Sequence, residues 1–277
     1  GFIMNIGFIG CGNMGSAIIK GILSSPAAEK YNINVYDSYA PAMEKLTQQC
    51  SVEKCCSAVE TAKKSDVIFL AVKPNVLSSV LSEIDETVGA KNNLLVSIAA
   101  GKSTDFIASF LSNEARIIRV MPNINAVVSE AVSAVCKNSV ADENDVKTVV
   151  ELMENTGKVL ELDESSFPLF GVLGGCSPAF VYMFIDALAR AGVKNGMKKS
   201  DALKIAAQSV YGSAKMIMES DKHPWELVDN VCSPGGTTIE GVLSLKEDGF
   251  ETAIQNAVDA AVEKDRSEER RVGKECR

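Results

Sequence analysis

The sequence has one histidine, His223, so imidazole chemistry of any kind has a single candidate residue. It precedes Pro224 between helical patterns and reads as structural. Eight cysteines, at positions 11, 50, 55, 56, 136, 176, 232 and 276, form no CxxC pair and no metal-ligand spacing. That pattern argues against zinc and disulfides and, with no secretory leader, for reduced thiols and a cytoplasmic location. No metal is expected, and the adjacent Cys55-Cys56 read as ordinary thiols. Positive charge is in deficit: 28 Lys and Arg against 36 Asp and Glu give a net charge of -8. No basic face is then available to neutralise duplex phosphates, which argues against nucleic acid as a partner. No apolar run approaches the roughly 18–20 residues that span a bilayer, and the richest stretch, Leu94 to Ala100, is strand-sized. The expectation is a soluble protein without a membrane segment, and no repeat or low-complexity tract is present.

What is there suits a folded chain of two domains. The 277 residues exceed one ordinary core, and 46% hydrophobic with 23% charged content lies far from the signature of disorder. Both ends stand apart. Gly1-Phe2-Ile3 precedes Met4, where the first strand pattern begins, so Met4 is the expected start. Residues 266–277 lose the apolar period of the preceding helix and read as a non-native tail.

From Met4 to Asp163, short apolar runs alternate with helical patterns, the sign of strand-helix-strand units around a doubly wound parallel sheet, a Rossmann-like α/β fold. Strands are expected at Asn5–Ile9, Asn34–Asp37, Val67–Val72, Leu94–Ile98, Ile117–Met121, Ala131–Cys136 and Val159–Leu162. Helices are expected at Met14–Ser25, Pro41–Gln49, Val76–Val88, Ser103–Leu111 and Asp142–Asn155. From Glu164 to Asp265 helix signals take over, so a second, all-α domain is expected there. Pro178 marks a helix start or kink before Ala179–Val193, with a stop at Gly196. Ser200-Asp201 would cap a helix running through Met218, and further helices end near Gly249 and span Glu251–Lys264.

Three groups of residues carry chemistry. Gly10-Cys11-Gly12-Asn13-Met14-Gly15 is a GxGxxG sequence after a strand and before a helix. The first glycine permits the turn, the second lets backbone approach a pyrophosphate, the third lets helix and strand pack, and the helix start adds free N–H groups. Asp37, at the end of the second strand, stands where an acidic side chain accepts hydrogen bonds from the adenosine ribose and repels a 2′-phosphate. This favours NADH, although neighbouring Ser38 and Lys45 could admit the phosphate; an exposed turn aspartate is the plain alternative. Ala71-Val72-Lys73-Pro74, the SIAAG run containing Ala99, and Met121-Pro122-Asn123 follow strands at carboxyl ends, where open sheets bind ligands. Lys73 reads equally well as a solvated loop lysine. The third group, Ser233-Pro234-Gly235-Gly236-Thr237-Thr238, precedes a helix. Exposed N–H groups, two hydroxyls and the helix dipole make it a receptor for a small carboxylate, or else a helix cap that binds nothing. Tyr182-Met183-Phe184 and Met216-Ile217-Met218 read as core or subunit interface.

Together these pieces resemble pyrroline-5-carboxylate reductase, the last enzyme of proline synthesis, from Met4 to Lys264. The resemblance lies in GCGNMGSAIIKG, AVKP, SIAAG, RVMPN, CSPAFVYMFIDALARAGVKNG and SPGGTTIEG. Ile124-Asn125 stands where the family often has Thr-Pro, Ala131 replaces a frequent glycine, and Gly174-Gly175-Cys176-Ser177 varies a small-residue turn. The resemblance implies hydride transfer from NADH or NADPH to the cyclic imine carbon of 1-pyrroline-5-carboxylate. It also implies a homodimer of interlocked helical domains that assembles further into rings, with the SPGGTT turn facing the neighbour's cofactor. Carboxylate binding falls to Ser233, Gly235, Gly236, Thr237 and Thr238, and Thr238 also meets the ring nitrogen as the catalytic contact. Cofactor binding falls to Gly10, Gly12, Asn13, Met14, Gly15, Asp37, Ser38, Ala71, Val72, Lys73, Pro74, Ala99, Met121 and Asn123. A protonated imine is already electrophilic, so placement matters more than a strong acid. Rival readings are a 3-hydroxyacid dehydrogenase-like enzyme, which would need a lysine soon after Pro178 and finds none before Lys194, and a non-catalytic dinucleotide-binding scaffold.

Overall fold

The computed structural model describes residues 1–275; Cys276 and Arg277, part of the expected tail, lie outside the described residues. The chain divides into two compact units, Gly1–Gly175 and Cys176 onward. The division falls within the helical region, twelve residues beyond the expected boundary after Asp163.

The first unit is built on eight strands: β1 (Met4–Ile9), β2 (Tyr31–Tyr36), β3 (Glu53–Lys54), β4 (Val67–Leu70), β5 (Leu94–Ser97), β6 (Ile117–Met121), β7 (Ala131–Lys137) and β8 (Gly157–Glu161). Their order is β3-β2-β1-β4-β5-β6-β7-β8, so the winding reverses between β1 and β4. All neighbours run parallel except β6 and β7, which pair antiparallel from Ile118–Lys137 to Met121–Ala134. The expected doubly wound parallel sheet is present, and this one antiparallel pair is its exception. The short link from Met121 to Ala131 has no room for a full crossover helix, which a parallel return requires.

Period-two alternation sends successive strand residues to opposite faces. Ile6, Phe8, Val35, Val67, Phe69 and Val96 pack with Ile18, Ile19 and Ile22 of α1 (Asn13–Leu23) and with Val146, Val149 and Leu152 of α6 (Glu143–Met153). Ile68, Leu70, Leu95 and Ile117 pack on the other face against α3 (Ala58–Lys64) and α4 (Leu77–Lys91). Phe8 and Phe69 stack at 4.6 Å between ring centroids, joining β1 to β4 inside the first layer. The remaining helices of the unit are α2 (Ala40–Gln49), α5 (Thr104–Ala108) and α7 (Phe167–Phe170). No element is expected between Gln49 and Val67, yet β3 and α3 lie there. At two and seven residues they are too short for a periodic signal, and α3 is held instead by the Ser57 hydroxyl accepting from the Glu60 N–H.

The second unit contains α8 (Ser177–Lys194), α9 (Lys199–Glu219), α10 (Pro224–Val231), α11 (Thr237–Glu247) and α12 (Phe250–Glu275). Pro178 lies in the first turn of α8, just after the widened helical turn Gly171–Cys176, and Gly196 takes φ 96° after the helix ends. The expected cap at Ser200-Asp201 is corrected: α9 begins at Lys199 after Lys198, and Asp201 lies inside its first turn. α10 was absent from the expected elements. Helix α12 continues to Glu275 without burying a residue. Lys264–Glu268 and Arg271–Glu275 pairs one turn apart help that polar end remain helical.

The core of this unit is thin. Ala189 of α8 packs on Ala202 and Ala206 of α9, with Ile185 beside them. Helices α10, α11 and α12 bury none of their residues. The expectation that no stretch is long and apolar enough to span a bilayer is corrected as well. Among the described residues, one helical run, Glu164–Lys194, meets the length and composition criteria, with a mean hydropathy of 1.6 over its best window and only 11% of that window buried. Glycine, alanine and cysteine interrupt the large apolar residues there, so no single run catches the eye although the average is high.

Candidate active site

Between β1 and β4 the chain reverses winding, and the loop Gly10–Gly12 sits at the carboxyl end of β1. The Gly10 N–H donates to the Tyr36 carbonyl at 2.8 Å and the Ala71 N–H to the Ile9 carbonyl at 2.8 Å, so all three loops emerge tied together. Gly10 has φ 104°, a conformation that favours glycine. Gly15 is buried against the Gly10 carbonyl and the Ala71 methyl, where an added Cβ would press at 2.9 and 3.2 Å. Gly12 differs from both: a Cβ there would meet nothing within 4 Å.

Gly12 is the N-cap of α1, and no side chain caps that end. The N–H groups of the first turn therefore have no capping side chain as a partner, and Gly12 and Asn13 line a cleft of about 1070 Å³. Other walls come from Cys11, Ser16, Lys20, Tyr39, Lys45, Ile124 and Val127. An uncapped helix start, a side-chain-free approach and a cleft of this size fit a dinucleotide diphosphate. Cys11 adds no reactive thiol. Burial, and secondarily the charge of Asp37, push it up to about 12, so it stays protonated.

The remaining sites predicted in this unit fall into distinct environments. Met14 is half-buried on α1, packed at the edge of the core. Asp37 accepts from two backbone N–H groups, Cys11 to Oδ2 at 2.7 Å and Tyr39 to Oδ1 at 2.8 Å. Ser38 and Lys73 are exposed, while Ala71, Val72 and Pro74 are half-buried. Ala99 is buried in the core, its N–H on the Ser97 hydroxyl. Met121 packs beside Phe167 and Phe170. Asn123 is buried with its amide engaged: Nδ2 donates to the Gly174 carbonyl at 3.1 Å and Oδ1 accepts from the Val132 N–H at 3.2 Å. It holds a widened helical turn, Gly171–Cys176, against the sheet. Sequence reasoning missed Tyr39, Ile124 and Val127 as cleft walls. The available signal was apolar side chains standing in turns, where a soluble chain has little reason to expose them.

A second polar cluster lies under α5. The Glu164 carboxylate accepts from the Thr104 N–H and hydroxyl, each at 3.0 Å, from Arg119 Nη1 at 3.4 Å and from Cys136 Sγ at 3.8 Å. The Arg119 guanidinium lies 4.7 Å from the Phe167 ring centroid. Burial first, and then the Glu164 charge, push the Cys136 thiol up to about 12.

In the second unit, the turn Ser233–Gly236 leads into α11. Gly235 has φ 69°, Gly236 is the N-cap, and no side chain caps the helix. The Gly236 N–H donates to the Ser233 carbonyl at 3.1 Å, closing the turn, and a Cβ on Gly236 would collide with the Ser233 hydroxyl. Ser233, Thr237 and Thr238 are exposed. Beside them, Lys246 Nζ lies 4.6 Å from the Trp225 ring centroid, packing α10 against α11.

A doubly wound sheet with a glycine loop at its switch point, followed by a helical unit with its own uncapped helix start, defines a dinucleotide-binding oxidoreductase. Residues 5–101 match a family model described as NADP oxidoreductase coenzyme F420-dependent, and residues 164–268 match one described as pyrroline-5-carboxylate reductase dimerisation. The pyrroline-5-carboxylate reductase of Escherichia coli is 43% identical over 260 residues, covering 94% of this chain and 96% of that protein. The Streptococcus pyogenes 1-pyrroline-5-carboxylate reductase structure superposes with a TM-score of 0.82 at 33% identity, covering 96% of this chain and 99% of that one. The Plasmodium falciparum pyrroline carboxylate reductase, solved with NADP bound, gives 0.81 at 32% identity, with the same coverage. The chain belongs to the pyrroline-5-carboxylate reductase family.

Proposed function

We propose that this protein reduces 1-pyrroline-5-carboxylate to L-proline, with NADH or NADPH as the electron donor. When bound, the reduced nicotinamide supplies the hydride that the imine carbon accepts. The chain's residues bind and orient. The first-turn N–H groups of α1 hold the diphosphate, and Gly12 leaves its path clear. Ser233, Gly235, Gly236 and Thr237 hold the substrate carboxylate, and the Thr238 hydroxyl bonds the ring nitrogen. An imine protonated in solution brings its own proton, so no histidine is required.

The observation that carries this reading is the start of α11. It combines an N-cap glycine, no capping side chain and exposed threonine hydroxyls, in a chain whose other unit presents an open dinucleotide cradle. The assay follows loss of reduced nicotinamide with 1-pyrroline-5-carboxylate and identifies proline by mass spectrometry. Cofactor oxidation without proline would sink the proposal.

We place the functional boundary at Asp163/Glu164, supported by the family match that begins at 164, with residues 4–163 binding cofactor and 164–265 binding substrate and partner. Residues 266–277 stand outside both. Three helices that bury nothing in one chain, with Tyr182, Met183, Met216 and Met218 each at least 59% exposed, support a homodimer as their cover, rather than a bilayer, and a ring of dimers beyond it. Sedimentation of a monomer at micromolar concentration would count against this. A cytoplasmic site suits the seven free cysteines among the described residues, and the acidic charge disfavours nucleic acid.

A further inference from the structure

We infer that Asp37, pinned by the Cys11 and Tyr39 amides behind the glycine loop, makes this protein prefer NADH over NADPH. The inference rests on the reductase reading only in assuming that a nicotinamide dinucleotide fills the α1 cleft. Asp37 lies one residue beyond β2, and Tyr36, its neighbour, accepts from Gly10 at 2.8 Å. With the diphosphate at the first turn of α1, the adenosine ribose extends toward the carboxyl end of β2, where this carboxylate stands.

Both carboxylate oxygens are held, Oδ2 by the Cys11 N–H at 2.7 Å and Oδ1 by the Tyr39 N–H at 2.8 Å. Turning the side chain away would break both bonds. Each oxygen keeps a second lone-pair site, so it can still accept from a ribose hydroxyl. A 2′-phosphate offers the reverse: it is an acceptor with a charge of about -1.5 to -2, set against a fixed negative group.

The rival is a cation that would neutralise that phosphate. Lys20 and Lys45 line the α1 cleft, as do Cys11 and Tyr39, which hold Asp37, but both lysines are exposed, and among the described residues no ion pair joins either to Asp37. No arginine lines the cleft, so the planar, bidentate phosphate clamp is missing. A tethered carboxylate next to the ribose outweighs two solvated lysines whose charge is screened by water and salt.

The test is calorimetric titration of the full chain with NADH and with NADPH, alongside kcat/KM for each. NADH is expected to bind roughly tenfold tighter or more, equivalent to about 1.4 kcal/mol. Asp37→Asn, which keeps one acceptor oxygen and loses the charge, should bring the two affinities within roughly threefold by strengthening NADPH binding. Lys45→Gln should leave the ratio within roughly twofold. Equal or tighter NADPH binding by the unmodified protein overturns the inference, as does an unchanged ratio in folded Asp37→Asn. If that variant fails to fold, the unmodified protein's ratio decides. The two readings fail differently: a wrong reductase assignment shows as dinucleotide binding without proline formation, a wrong specificity assignment as the affinity ratio.

Discussion

Gly10 and Ala71 meet backbone to backbone where the sheet reverses its winding: a methyl group on Gly10 would collide with the Ala71 carbonyl oxygen. Gly10 also holds φ 104°. Gly10→Ala is therefore expected to destabilise the first unit by about 1–3 kcal/mol, read as a lower urea midpoint. Gly12→Ala provides the contrast. It has φ -68° and no atom within 4 Å of a Cβ. Its stability should stay within about 0.5 kcal/mol of the unmodified protein while dinucleotide affinity falls. Equal affinity in folded Gly12→Ala would remove the diphosphate from this loop.

Thr238→Ala should lower kcat/KM by about 1–3 kcal/mol of transition-state stabilisation, the range for a hydrogen bond to a charged group. Thr238→Ser, which keeps the hydroxyl, should recover most of the loss. Thr238 is exposed at the start of α11, so thermal stability should hardly change in either variant. Unaltered kinetics in the alanine variant would exclude Thr238 from the substrate contacts.

Glu164 gathers Thr104, Arg119 and Cys136 onto one carboxylate. Arg119 is only 7% exposed, so Glu164→Ala leaves a buried cation without its counter-charge. Because Glu164 keeps 31% of its side chain in solvent, the expected loss is about 2–3 kcal/mol, at the lower edge of what broken buried pairs cost. Differential scanning calorimetry reads it directly. Stability within experimental error of the unmodified protein would show that water replaces the carboxylate.

Two of the three buried thiols among the described residues give the fold an alkaline limit. Cys11 and Cys136 are both pushed up to about 12, whereas an unfolded cysteine ionises near about 8.5. Their protonated forms favour the folded state, so stability is full below the unfolded value and declines as pH climbs toward 12. Denaturant midpoints measured across that range should fall. Iodoacetamide at mildly alkaline pH should label exposed Cys56 and spare Cys11 in the native protein. Rapid native labelling of Cys11 would mean that the glycine loop opens.

Periodicity located nearly every strand and long helix, since Ile6, Phe8, Val67 and Phe69 announce their faces through alternation. It failed where the deciding interaction is remote or the element too brief. β7 carries no mark of direction in its own residues; the short link from Met121 fixes it. α3 depends on one serine cap. The run from Glu164 hides its apolar average behind small residues.

The site divides along the same line. The glycine spacing and the SPGGTT turn are local backbone requirements, so sequence by itself determined that two glycine-led helix starts exist and which family the chain belongs to. Only tertiary structure decided that Asp37 is tethered to Cys11, twenty-six positions earlier, and that Asn123 spends its amide on Gly174 and Val132. A hydrogen bond between distant residues depends on how strands are ordered in space, and strand order is a property of the whole packed sheet.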